Sequence, residues 1–324
     1  MKAIVVKEFG SEEVLRLTEW EKPNPGPDQV RVEMHAAGIN PVETYIRSGN
    51  YPALPALPYI PGKDGAGVVD AVGEGVSRLK KGDRVYVAAV VANYCSGTYA
   101  EYTVCDAEAV HPLPEGLTFA QGAGVGTPGL AAQNALFPRG KLAPGETVLI
   151  HGATGGVGSL AVQLARRQGA RVLATAGEPE GFELLRELGA HAAFSHNEEG
   201  FTDRILEYTG GRGVDLVIEM LANVNLEKDL AMLALHGRIV VVGNRGSLEW
   251  SPRSAMQKDA DIRGMLLANM SHRDYISNFY ALTAAMEDGV HALVGRELPL
   301  ENAAEAHRLV IGGGIAGKII LTME

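Results

Sequence analysis

From about Gly145 the chain settles into one rhythm: short apolar runs alternate with segments of helical period, and the units punctuate with glycine. The runs are TVLIHG, RVLATAG, AAFSH, VDLVIEML, GRIVVVG and DIRGMLL. Between them lie VGSLAVQLARRQG, FELLRELG, FTDRILEYTG and LEKDLAMLALHG. Continuous apolar runs of this length are strands covered on both faces, and strands that alternate with helices build a doubly wound parallel sheet. The pattern therefore predicts an α/β fold.

The first 120 residues are organised differently. KAIVVKEF, QVRVEMHAAG, GAGVVDAVG, DRVYVAAVV and YAEYTVCD are closely spaced strands, divided by KPNPGPD, GEGVSRLKKGD and CSGT. Gly- and Pro-rich turns between such strands indicate an irregular, partly antiparallel β domain. The last apolar run, GKIILTM, is expected to return to that domain and close it. The predicted organisation is a discontinuous β-rich catalytic domain, residues 1–121 and 268–324, with a nucleotide-binding domain inserted at 122–267.

Three glycine-rich stretches compete for the role of phosphate turn. GVGTPG (Gly124–Gly129) carries Pro128 and follows no strong strand, and GGGIAG (Gly312–Gly317) leads into a strand rather than a helix. Only TVLIHGATGGVGSLAVQLA has strand, turn and helix in order, which brings backbone N–H groups and a helix N-terminus to a pyrophosphate. Here Gly155 and Gly156 allow close approach to phosphate, and Gly158 lets the helix pack on the strand. A dinucleotide is thus the expected ligand. NAD-binding folds of this type place a carboxylate about 20 residues on to bind the ribose hydroxyls. This chain has Ala176 and Gly177 there, which favours NADP(H). A cationic partner for the extra phosphate must come from elsewhere. His196 and Arg245 are candidates at strand ends, and His196, like Asn225, reads equally well as an ordinary loop residue.

Charge and cysteine content bound the rest. With 29 basic and 39 acidic residues the net charge is -10, and no Lys/Arg run suggests a basic face, so nucleic acid is not an expected partner. Two cysteines, Cys95 and Cys105, are too few for a disulfide framework or a Cys-rich zinc site. No segment has the ~20 consecutive apolar residues of a membrane helix, and a cytoplasmic location is expected.

The segments AAGINPVETYIRSGNYP, LPYIPGKDGAGVV, SGTYAEY, VLIHGATGGVG, IEMLANVNLEKDL and VVVGNRG together resemble the zeta-crystallin-like quinone oxidoreductase branch of the medium-chain dehydrogenase/reductase superfamily, over nearly the whole chain. The resemblance implies a GroES-like catalytic domain, an inserted Rossmann domain, and NADPH-dependent reduction of quinones. It assigns cofactor contacts to Tyr51, to Thr154, Gly155, Gly156 and Val157, to Gly177, His196 and Asn225, to Val242, Gly243, Asn244 and Arg245, and to the backbone of Met265, Leu266 and Leu267. The stretch 265–267 departs locally from the family's pattern. By analogy a homodimer or homotetramer is expected, with ADIRGMLL as the apolar edge strand.

Zinc enzymes of the superfamily hold their metal with a Cys in the segment that matches GINPVE and a His in the segment that matches PGKDGAG. Asn40 and Lys63 stand at those positions. An amide and an ammonium cannot build a Cys/His cage, so no metal is expected. The remaining chemistry is hydride or electron transfer to a small planar acceptor, a quinone or an enone, which asks the protein mainly for position and polarisation. Asn40 and Tyr45 are the expected acceptor-positioning residues, although half-buried packing explains Tyr45 equally well. Lys63 reads more readily as structural, and Glu43 and Asp64 are possible acid/base groups. A role in bulk structure or RNA binding is the alternative of a different class.

Overall fold

The computed structural model describes residues 1–323. It forms two compact units: Met1–Pro128 together with the segment that starts at His291, and Gly129–Val290.

The first unit opens with β1 (Lys2–Val5), β2 (Arg16–Glu19) and β3 (Gln29–Gly38). A short helix α1 (Pro41–Arg47) follows, then β4 (Asp64–Val72), β5 (Arg84–Ala88), β6 (Tyr102–Asp106), β7 (Val110–Pro112) and α2 (Phe119–Ala123). Along β3, Val30, Val32 and Met34 are buried while Glu33 and His35 are exposed, the period of two that a strand with one wet face requires. The same strand pairs antiparallel with β4 and with β6. Helix α3 (Gly126–Asn134) carries the boundary between the units.

The second unit is the expected alternation: β8 (Thr147–Ile150), α4 (Gly156–Arg167), β9 (Arg171–Ala176), α5 (Glu180–Glu187), β10 (Ala192–Ser195), α6 (Phe201–Tyr208), β11 (Val214–Glu219), α7 (Ala222–Met232), β12 (Leu233–Val241), α8 (Pro252–Met256), β13 (Asp261–Gly264) and α9 (His272–Glu287). Its six strands run in the order β10-β9-β8-β11-β12-β13, and every pairing is parallel. All four residues of β8 are buried, as a central strand with helices on both faces demands. Leu160, Ala161 and Leu164 of α4 pack with Val148, Ile150 and Val172 of the sheet.

The chain then returns to the first unit as β14 (Val294–Pro299), α10 (Ala303–Gly312) and β15 (Lys318–Thr322), which complete a sheet in the order β14-β15-β3-β4-β5-β7. The closing role expected of GKIILTM is thus carried by β15, which pairs antiparallel with β3. The unit boundary differs from the expected one. Helix α9 belongs to the second unit, because Ala285 and the following Val290 join the core of the parallel sheet and Arg167 pairs with Asp288 at 2.5 Å. Periodicity shows that one face of such a helix is covered and does not show by which unit.

Candidate functional site

In the second unit, β8 runs through His151 into a turn that opens α4. Gly152 sits at φ +54°, Gly155 is extended at the helix N-cap, and Gly155 N–H donates to the Gly152 carbonyl at 3.0 Å. A Cβ on Gly158 would lie 2.5 Å from the Gly152 oxygen and 2.6 Å from Ala153 Cα, so only glycine lets the helix start this close to the turn. Thr154, Gly155, Gly156 and Val157 are partly open at the mouth, and no acidic residue occupies the first turn of α4. First-turn amides have no partner within a helix and sit at its positive end, a setting made for an anion.

The strand ends around this turn carry the other expected contacts. Gly177 follows β9 and no carboxylate stands there; its carbonyl accepts from Ser195 Oγ and Asn197 Nδ2 at 3.2 and 3.1 Å. His196 lies beside it, exposed, with its pKa lowered by partial desolvation and by the nearby His151 and Lys228. Its imidazole is therefore neutral near pH 7 in the free protein. Val242 and Gly243 N–H both donate to the Glu219 carbonyl, at 2.8 and 3.3 Å, and a Cβ on Gly243 would meet the Met220 oxygen at 2.2 Å. Asn244 Oδ1 accepts from Asn223 N–H at 3.0 Å, and Asn223 Oδ1 accepts from Arg245 N–H at 2.9 Å. The Arg245 side chain is exposed and makes no ion pair among the described residues. Met265 N–H donates to Val241 at 3.1 Å, Leu266 is 52% exposed, and Leu267 is buried.

Beneath the turn lies a buried polar chain that the sequence did not reveal. His151 Nε2 is 2.8 Å from Asp229 Oδ1 and 3.6 Å from Glu219 Oε2, while its Nδ1 is 3.1 Å from Thr175 Oγ1. Thr175 Oγ1 also accepts from Gly152 N–H at 3.3 Å, which ties the cluster to the phosphate turn. Asn225 Nδ2 donates to Glu219 Oε1 at 3.2 Å, as does Leu221 N–H. Burial raises the pKa of both carboxyls, and the proximity of Asp229 raises that of Glu219 further, to about 7. Burial lowers that of His151. A neutral imidazole that donates from Nε2 to Asp229 and accepts from Thr175 at Nδ1 satisfies these directions, with one proton held by the carboxyl pair. The three residues could also group around a cation, since their ligand atoms lie within 4.8 Å of one another. Lys228, exposed on α7 close enough to influence both His196 and Asp229, is a further cation that sequence spacing did not single out.

In the first unit the structure corrects the role expected of Asn40. The residue is 4% exposed and begins α1, whose Glu43 carboxylate returns to its N–H at 2.8 Å. Its side-chain amide donates to Asp64 Oδ2 at 2.8 Å and to Glu43 Oε1 at 3.4 Å, while its Oδ1 accepts from Lys318 Nζ at 2.7 Å. Both amide hydrogens are committed, so Asn40 is not a donor held ready for an acceptor. Tyr99 OH donates to Glu43 Oε2 at 2.6 Å, and Thr127 donates to Asp64 Oδ1 through N–H and Oγ1 at 2.8 and 2.7 Å. Burial pushes both carboxyl pKa values up and that of Lys318 down. Lys318 was invisible as a partner because it opens an otherwise apolar strand far along the chain.

Lys63 is half-buried, and its N–H donates to Glu43 Oε1 at 3.3 Å. It lines a cavity of ≈ 580 Å³ together with Glu43, Tyr59, Ile60, Tyr94 and Cys95. Tyr45 on α1 and Tyr51 in the bend beyond it are both half-buried, and neither is among the cavity's lining residues.

Known proteins place the two units in context. Residues 26–115 match the alcohol dehydrogenase GroES-like domain, and residues 156–288 match the zinc-binding dehydrogenase domain. A human quinone oxidoreductase is 46% identical over 326 residues, covering 100% of this chain and 98% of the relative. Among solved structures, a quinone oxidoreductase from Escherichia coli complexed with NADPH shares 30% identity at a TM-score of 0.88, with all of both chains covered. An NAD-dependent alcohol dehydrogenase shares 30% identity at 0.91, again with full coverage. The GroES-like and Rossmann folds expected from the sequence are those of these neighbours. With near-half identity to the human protein along its full length, this chain belongs to the quinone oxidoreductase family of the medium-chain dehydrogenase/reductase superfamily.

Proposed function

We propose that this protein reduces quinones with NADPH and without zinc. The observation that carries the reading is the turn from Gly152 to Gly158, where a Cβ at Gly158 would strike the backbone at 2.5 Å, beside a β9 that ends without a carboxylate. The first feature fits a pyrophosphate and the second a ribose with a 2'-phosphate. The residues proposed to hold the cofactor are Thr154, Gly155, Gly156 and Val157 at the phosphates, and Gly177, His196 and Asn225 near the strand ends. Val242, Gly243, Asn244, Arg245, the backbone of Met265–Leu267, and Tyr51 complete the set.

Bound NADPH supplies the hydride. The chain's own residues orient the cofactor, carry positive charge at Arg245 and Lys228, and hold the acceptor; Tyr45 is the residue proposed to donate a hydrogen bond to it. Asn40 acts one step back, as the amide that holds α1 to Asp64 and Lys318. Zinc independence rests on the same network: Asn40 and Lys63 stand where the metal enzymes have Cys and His, and the amide is already saturated by protein groups.

The test is a steady-state panel of quinones beside a panel of α,β-unsaturated ketones and aldehydes, each with NADPH and with NADH. Turnover of quinones with NADPH is expected. Robust enone turnover with no quinone activity would make the chain an enone reductase, and equal affinity for NADH would refute the argument from the end of β9. A solely structural or RNA-binding role predicts no turnover in any arm. No helix is long and apolar enough to cross a membrane among the described residues, and a cytoplasmic homodimer or homotetramer that meets through the β13 edge is the proposed working form.

A further inference from the structure

The two cysteines, which lie in the first unit and are unused by the proposed chemistry, face each other. Cys95 and Cys105 form an isolated antiparallel bridge, flanked by Ser96 N–H to Val104 O at 2.9 Å and Asp106 N–H to Tyr94 O at 3.2 Å. That flanking pattern defines a non-hydrogen-bonded pair, in which opposed Cα atoms stand about 4.5 Å apart. A disulfide needs roughly 4.4–6.8 Å between Cα atoms. The two sulfurs are already 3.0 Å apart, with Cys105 Sγ–H donating to Cys95 Sγ. Cys105 is buried, and Cys95 is half-buried and contributes to the wall of the ≈ 580 Å³ cavity, the side from which a small molecule would approach the pair.

We propose that Cys95 and Cys105 are a redox-active dithiol, a site of exchange with low-molecular-weight disulfides of the glutathione type that closes to a cross-strand disulfide.

Charge supports the order of events. The hydrogen bond from Cys105, with help from the Lys63 ammonium, lowers the Cys95 pKa to about 6, whereas donation to that thiolate and burial hold Cys105 up. Cys95 is thus the nucleophile. Its thiolate attacks one sulfur of the disulfide R–S–S–R, forming a Cys95–S–S–R bond and releasing RS⁻. Loss of the negative charge on Cys95 removes what kept Cys105 protonated. Cys105 passes its proton to the departing RS⁻, attacks Cys95 Sγ, and expels a second RS⁻. The protein loses two electrons and the small disulfide gains them, so the step needs no further oxidant.

The experiment is native incubation of the full chain with oxidised glutathione, read by intact mass and non-reducing peptide mapping. The wild type should lose two hydrogens, retain no glutathione and yield a Cys95–Cys105 cross-linked peptide. Cys105→Ser should keep one glutathione on Cys95, and Cys95→Ser should react at least tenfold more slowly. The wild-type rate against pH provides a readout that needs no variant, with a midpoint well below the ~8.5 of an ordinary thiol. Retained glutathione on the wild type, disulfides between chains, or no reaction while denaturation releases two free thiols would each overturn the proposal. So would a Cys95→Ser chain that reacts as fast as the wild type.

Discussion

Asn40 shows how a residue's type can point to the right place and the wrong job. Its amide stands where zinc enzymes of the superfamily have a metal ligand, yet the structure spends it on Lys318, Asp64 and Glu43, all of them buried. Asn40→Ala leaves a buried ammonium and two carboxylates short of partners, which should destabilise the protein by roughly 2–4 kcal/mol. Urea denaturation measures it, and a change below about 0.5 kcal/mol would show that the network carries no such weight. Gly158 is the counterpart in the parallel sheet. Gly158→Val must push α4 away from the turn, and fluorescence titration should record at least tenfold weaker NADPH binding, ~1.4 kcal/mol, with the far-UV circular dichroism unchanged. Unaltered affinity would mean that the turn does not cradle the phosphates.

At the scale of elements, the cluster that joins β8, β9, β11 and α7 is where pH should act on stability. Glu219 has a folded pKa of about 7, above the ordinary 4.5, and Asp229 is raised beside it. Between those values the native chain holds more protons than the unfolded one, so stability is fully present below about pH 4.5 and is lost as pH rises through 7. Glu219→Gln mimics the protonated carboxyl and keeps an oxygen for Leu221 and Asn225. The variant should flatten the pH dependence and gain on the order of 1–3 kcal/mol relative to wild type at pH 8. Thermal unfolding across pH 5 to 8 checks this, and parallel curves for the two proteins would refute it. Element identity itself was legible where period and punctuation agreed: each of the six parallel strands overlaps a predicted apolar run, although β12 starts at Leu233, within the stretch LEKDLAMLALHG that the periodicity assigned to a helix. Helix α9 was misassigned because amphipathic periodicity shows that a face is covered and not by what.

For the whole molecule, a net charge of -10 and a metal-free reading make two predictions. Quinone turnover should survive exhaustive dialysis against EDTA; loss with rescue by zinc would overturn the reading and direct attention to His151, Glu219 and Asp229, the one group with ligand-like spacing among the described residues. Filter binding across a salt series should find no tight, sequence-selective RNA complex, since no run of Lys or Arg in the sequence offsets the overall charge.

What the sequence determined by itself was the pattern of elements and the glycine-rich turn between β8 and α4, because hydrophobic period, glycine placement and strand–turn–helix order are local properties written within about 20 residues. Only the tertiary structure decided which polar groups are spent on one another. Asn40 with Lys318, His151 with Glu219 and Asp229, and Cys95 with Cys105 are partnerships between segments that sheet pairing brings together. Their energetics depend on burial, which no short window of sequence contains.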